Sequence, residues 1–203
     1  MDTLEYQTSI HSMSENITNM QDSDEQIAWK EEFQELFDSA VSHYQSGLRG
    51  VSHIFDAKDV AFLTSIGTNP SEMYDYVEDW SELGEPSFET VFAITSVRYR
   101  YFIREQHGMS SGIVQTPENF PSGGMAMGGY RWLPRIIAKA RAKLKGELPL
   151  EIMFSCGTDR PFLKRVGITP EDFLKTVWAA GSDDNAILAR VEESANRGKK
   201  FQH

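Results

Sequence analysis

The feature that most constrains this chain is a correspondence between its two halves at a constant offset of 100 residues. Phe62-Leu63-Thr64-Ser65-Ile66-Gly67-Thr68-Asn69-Pro70 lies over Phe162-Leu163-Lys164-Arg165-Val166-Gly167-Ile168-Thr169-Pro170, and Val77 then meets Val177. Backwards along the chain, Asp59 meets Asp159, Leu48 meets Leu148 and Ala40 meets Ala140, with Leu36 and Phe37 over Ile136 and Ile137. The repeated positions are helix-stopping glycines, first-turn prolines and core aromatics, each with a backbone or packing duty. An ungapped match of this length predicts a duplication: two diverged helical units packed with approximate two-fold symmetry.

Helical grammar supports the same division. Ser23 with Gln26 fits a capping box, and Trp29, Phe33, Leu36, Phe37, Ala40, Val41 and Tyr44 recur at helical spacing before Gly47. A short helix is expected from Ala57 to Ser65. Asn69-Pro70-Ser71-Glu72 opens another, to about Trp80, and Glu85-Pro86-Ser87 opens a long one, to about Gln106. The latter is apolar on two faces, which predicts a central, buried helix. In the second half, helices are expected from Pro134 to Lys145, from Thr158-Asp159 to Gly167, from Pro170 to Ala180, and from Asp184 to Asn196, with a fraying basic tail at Gly198-Lys199-Lys200. Leu150, Ile152 and Phe154 alternate, which suggests a short extended segment.

The resulting organisation is a disordered acidic tail at 1–22, a first helical unit at 23–107, a Gly/Pro/Ser-rich connector at 108–129 and a second helical unit at 130–197. The fold class is mainly α, with one short extended pair allowed. From Asp2 to Asp38 there are ten acidic residues against Lys30 alone. The net charge of -10 disfavours nucleic acid, whose phosphates would be repelled. A single cysteine, Cys156, rules out an intramolecular disulfide framework. The opening residues lack the regions of a signal peptide, and no apolar run approaches the length of a membrane helix. A cytoplasmic protein with no membrane attachment is expected.

The stretch Gly128-Gly129-Tyr130-Arg131-Trp132-Leu133-Pro134-Arg135, followed by Lys139-Ala140-Arg141-Ala142, resembles an uncharacterised bacterial family, domain of unknown function 5069. Cys156-Gly157-Thr158-Asp159, Phe162-Leu163 and Gly167-Ile168 fit the same pattern. The resemblance covers about residues 128–192, and the first half is similar to the region that precedes this domain in two-part members. It implies relatedness and no reaction.

The segment Arg131–Lys145 holds six basic residues and no acid. On a helix, Leu133, Ile137, Ala140 and Leu144 share one face, while Arg135, Lys139 and Lys143 point mostly away and Arg141 sits at the margin. Two readings follow. These cations pair with acids of the first unit, of which Asp75, Glu78, Asp79, Glu82, Glu85 and Glu89 form a run, or Arg135, Lys139, Arg141 and Arg160 bind a phosphate or carboxylate. Cys156, ahead of a helix start, reads as a small core thiol before it reads as a nucleophile, because no histidine is spaced to serve it. Asp159 reads as an acceptor of backbone N–H groups, like Asp59. Tyr130 and Trp132 read as hinge packing or as the wall of a pocket beneath a flap at Gly123–Gly129. Neither metal-ligand spacing nor a nucleotide loop is present, so no metal or cofactor is implied. No catalytic constellation is visible. A non-catalytic binding or protein-interaction protein is therefore expected, acting through a protein partner or as a homo-oligomer. The alternative is an enzyme or sensor for a small anionic metabolite held by the basic helix of the second unit.

Overall fold

A computed structural model of the protein describes residues 29–200. The acidic tail at 1–22 and the Ser23–Gln26 capping box lie outside the described residues. The described part is mainly helical: α1 (Lys30–Gln45), α2 (Val51–Ile54), α3 (Ala57–Ser65), α4 (Pro70–Leu83), α5 (Phe88–Arg104), α6 (Leu133–Lys145), α7 (Asp159–Val166), α8 (Pro170–Ala180) and α9 (Asp184–Lys200). The sequence explains most boundaries. Asp56 caps α3 and forms a reciprocal box with Asp59, Asn69 caps α4 with Pro70 behind it, and Ser87 caps α5. Thr169 and Pro170 repeat the α4 start at α8. The helix α9 runs through the expected fraying segment to Lys200.

One hydrophobic core runs through both halves, from Phe33 and Phe37 through Tyr76, Val91 and Ile94 to Leu133, Phe162, Phe173 and Val191. The central element is α5. It buries Val91, Ile94, Val97 and Phe102 and packs against α6 and α8 as well as α1. Corresponding helices at the 100-residue offset make corresponding pairs: α1 packs on α4 as α6 packs on α8, and α3 on α4 as α7 on α8. The stops correspond too. Gly67 and Gly167 have φ of 72° and 70°, and each is followed by an N–H bonded back to Leu63 or Leu163.

Two expectations are corrected. The extended segment expected at Leu150–Phe154 is absent, and that stretch forms turns. The short extended pair of the expected fold class is a two-stranded antiparallel hairpin, β1 (Ala126–Met127) with β2 (Tyr130–Arg131), where the glycine-rich connector meets the second unit. Pro149 explains part of this: the 149–152 turn closes with Ile152 N–H on its carbonyl. Nor do Lys139 and Lys143 point away from the core. They are 2% and 0% exposed, because the face of α6 that carries them is covered by α7 and α4.

Candidate functional site

The first turn of α6, the middle of α6 and the start of α7 converge on one carboxylate. Asp159 is fully buried. Its Oδ2 receives the Lys139 ammonium at 2.5 Å, the Ser155 N–H at 2.9 Å and the Cys156 N–H at 3.4 Å. Its Oδ1 accepts the Trp132 indole N–H at 2.7 Å. The cap role expected of Asp159 at the first turn is therefore corrected: it accepts N–H groups of residues ahead of the helix and pairs with a lysine as well. Asp59 in the other half is only half-buried, in its capping box. Lys139 Nζ also lies 3.2 Å from Cys156 Sγ. The thiol is half-buried at the edge of this centre, so the reading as a thiol enclosed by the core is corrected.

Two residues of the centre hold backbone conformations that favour glycine. Trp132 has φ 79° at the N-cap of α6, and Ser155 has φ 66° in the turn before α7. Each costs about 1–3 kcal/mol and persists only where its surroundings hold it. Here the restraints are visible. Trp132 N–H donates to Met125 O, and Ser155 is gripped at both ends, its N–H on Asp159 and its carbonyl accepting from Arg160 Nη1. The preceding carbonyl, of Phe154, accepts from the buried Tyr76 hydroxyl of α4 at 3.1 Å. Burial, with Glu72, Asp75 and Asp159 nearby, holds that phenol well above its ordinary value, so it remains a donor.

The remaining candidates are distributed around this centre. Arg160 bonds Asp79 at 2.7 Å and faces Glu85 at 3.4 Å, tying α7 to the acidic helix α4. Arg135 donates to the Pro121 carbonyl and sits 5.6 Å from the Trp132 ring. Arg141 lies elsewhere, donating to Gly181 O and facing Asp184. Tyr130 is partly buried in β2. The four cations proposed for one anion therefore do not converge: Lys139 and Arg160 flank the Asp159 turn, Arg135 lies behind Trp132, and Arg141 faces the α8–α9 turn. The glycine-rich segment packs as well. A Cβ on Gly123 would come within 2.3 Å of the Trp132 ring, and one on Gly128 within 2.5 Å of Leu188.

A second buried polar group was missed. Lys143 Nζ bonds Glu72 of α4 at 3.0 Å, and Arg98 of α5 is 2% exposed with Nε and Nη1 unpaired among the described residues. The signal was present at Arg98. It stands four residues from both Ile94 and Phe102, on the core face of α5.

Residues 118–202 match the family described as Domain of unknown function (DUF5069). The match reaches further at both ends than the 128–192 resemblance. Trp132, Lys139, Ser155, Cys156, Asp159 and Arg160 all lie within this segment, whereas Asp79, Glu85, Tyr76 and Glu72 lie outside it. The DUF5069 segment thus supplies the Asp159 centre, and the first half supplies the acids and the phenol that brace it. No curated protein and no solved structure matches the chain. Among the described residues no helix is long and apolar enough to cross a membrane.

Proposed function

We propose that this is a non-catalytic binding protein that works through protein contact, with a second copy of itself as the partner. The observation that carries this is the apolar stretch after α5. Met109, Ile113 and Val114 are 67%, 53% and 66% exposed within six consecutive residues. Large apolar side chains clustered this densely on a surface mark an interaction site. The stretch has neither helix nor strand, yet its end is fixed: Gln115 N–H bonds Glu147 O, and its side-chain amide bonds the Glu147 carboxylate. Leu150, 68% exposed, stands three residues beyond that anchor. A patch of this kind meets its own copy across a two-fold axis without needing a complementary pocket.

The alternative, a small-anion enzyme or sensor at the Asp159 centre, has less support. The lysine there is already matched by a buried carboxylate, and Arg160 is matched by Asp79. We keep a cytoplasmic setting and descent from a duplicated helical unit as parts of the reading. The first accords with the single cysteine, and the second is supported by the paired helix contacts and stops at the 100-residue offset.

Sedimentation velocity tests the assembly. The wild-type chain should shift from its 23.0 kDa monomer towards a dimer as concentration rises. The double variant Ile113→Asp, Val114→Asp should stay monomeric with an unchanged circular-dichroism spectrum. A wild-type protein that remains monomeric at high micromolar concentration, or a variant that still dimerises, overturns the proposal.

A further inference from the structure

The basic helix α6 reaches a different opening at its C-terminal end. There α5, α6 and α8 enclose a groove of about 500 Å³, within the range that small ligands occupy. Its aromatic wall is Tyr101 and Trp178, edge to face with ring centroids 5.4 Å apart. Glu105 holds the Trp178 indole N–H at 3.0 Å, which fixes the ring. Two cations of α6, Arg141 and Lys145, also line the groove.

Neither cation is fully used. Arg141 donates through Nε to Gly181 O at 3.0 Å. Its Nη2 lies 2.6 Å from Asp184 Oδ1 and both atoms are buried, so that corner of the guanidinium is taken. Nη1 has no hydrogen bond among the described residues, and the side chain is 31% exposed. Lys145 is exposed at the rim. A planar group with an oxyanion at one end would satisfy the groove. The oxyanion would take Arg141 Nη1 and the Lys145 ammonium, and the ring would lie against Trp178. Glu105, held on the Trp178 indole N–H, repels the charged end and sets the orientation.

We infer that this groove binds a small aromatic anion, a planar ring bearing a carboxylate, sulfonate or phosphate. The inference is independent of assembly through Met109–Val114, since none of those residues lines the groove.

Calorimetric titration with naphthalene-2-sulfonate tests it. Naphthalene-2-carboxamide serves as the ring without charge, and inorganic phosphate as the charge without a ring. The sulfonate should bind at least tenfold tighter than either. Arg141→Met should weaken it at least tenfold, Lys145→Met severalfold, and the exposed Lys164→Met, on α7, not at all. The Lys145 variant removes only a rim side chain, so it answers even if the Arg141 variant fails to fold. No binding of the sulfonate at millimolar concentration, equal binding of sulfonate and carboxamide, or unchanged binding in the Lys145 variant overturns the inference.

Discussion

Lys139 on α6 and Asp159 at the start of α7 form an ion pair of 2.5 Å with side chains 3% and 0% exposed. A pair this deep is held by the hydrogen bonds around it. Asp159 spends its remaining capacity on Trp132 and on the Ser155 and Cys156 N–H groups. Removing one partner strands the other charge, at a cost of about 3–5 kcal/mol. Asp159→Ala should therefore lose about that much in urea unfolding, and it should also release the strained Trp132 and Ser155 turns. Lys139→Met should cost a similar amount, and the double variant Lys139→Met, Asp159→Ala should cost much less than the sum. Additive losses would mean that the pair is not coupled.

The helices and their caps were legible because they rest on local chemistry. Asn69-Pro70, Ser87 and Thr169-Pro170 satisfy orphaned N–H groups wherever they occur. The buried charges were not legible. Lys139 and Lys143 lie four apart on a helix that also carries Ile136, Ala140 and Leu144, so nothing local distinguishes a solvated face from one covered by another element. Their burial depends on Asp159 and Glu72, which stand 20 and 71 residues away in sequence. Leu48 and Leu148 show the same limit within the repeat: matched in sequence, they are 40% and 4% exposed.

Asp75 of α4 makes stability depend on pH. Burial first, then the neighbouring Glu72, Glu78 and Asp79, raise its pKa from 3.8 to about 7, with Lys143 opposing. The folded state therefore holds this proton more tightly than the unfolded chain does. The favourable contribution is complete below about pH 4, declines as pH rises, and is gone above about pH 7. Asp75→Asn mimics the protonated form. It should gain about 1–2 kcal/mol over wild type at pH 8, a figure reduced for the partial exposure of the group, and gain little near pH 4. Thermal unfolding across that range checks the slope.

Arg98 is a cost the fold carries. Burial lowers its pKa to about 10 against the opposing pull of Glu72, Tyr101 and Glu147, and two of its nitrogens lack a hydrogen bond among the described residues. A buried donor left without a partner costs about 1–3 kcal/mol. Arg98→Met removes two such donors and should raise the unfolding free energy by about 1–3 kcal/mol. A loss of more than about 1 kcal/mol would show that the guanidinium serves as counter-charge to the buried Glu72 and Glu147.

The hairpin between the halves is anchored, and Gly128 with Leu188 shows how. Gly128 and Gly129 both have positive φ, 56° and 82°, so alanine is strained at either position. Only at Gly128 would the new Cβ also meet a side chain, 2.5 Å from Leu188 Cδ1 of α9, whereas Gly129 has nothing within 4 Å. Gly129→Ala should therefore cost about 1 kcal/mol from the backbone alone. Gly128→Ala should add the clash and cost about 2–4 kcal/mol. Leu188→Ala in the Gly128→Ala background should recover part of that excess, and none in the Gly129→Ala background. Equal losses for the two alanines would mean that the hairpin does not rest on α9, and the glycine-rich segment would again qualify as a free flap.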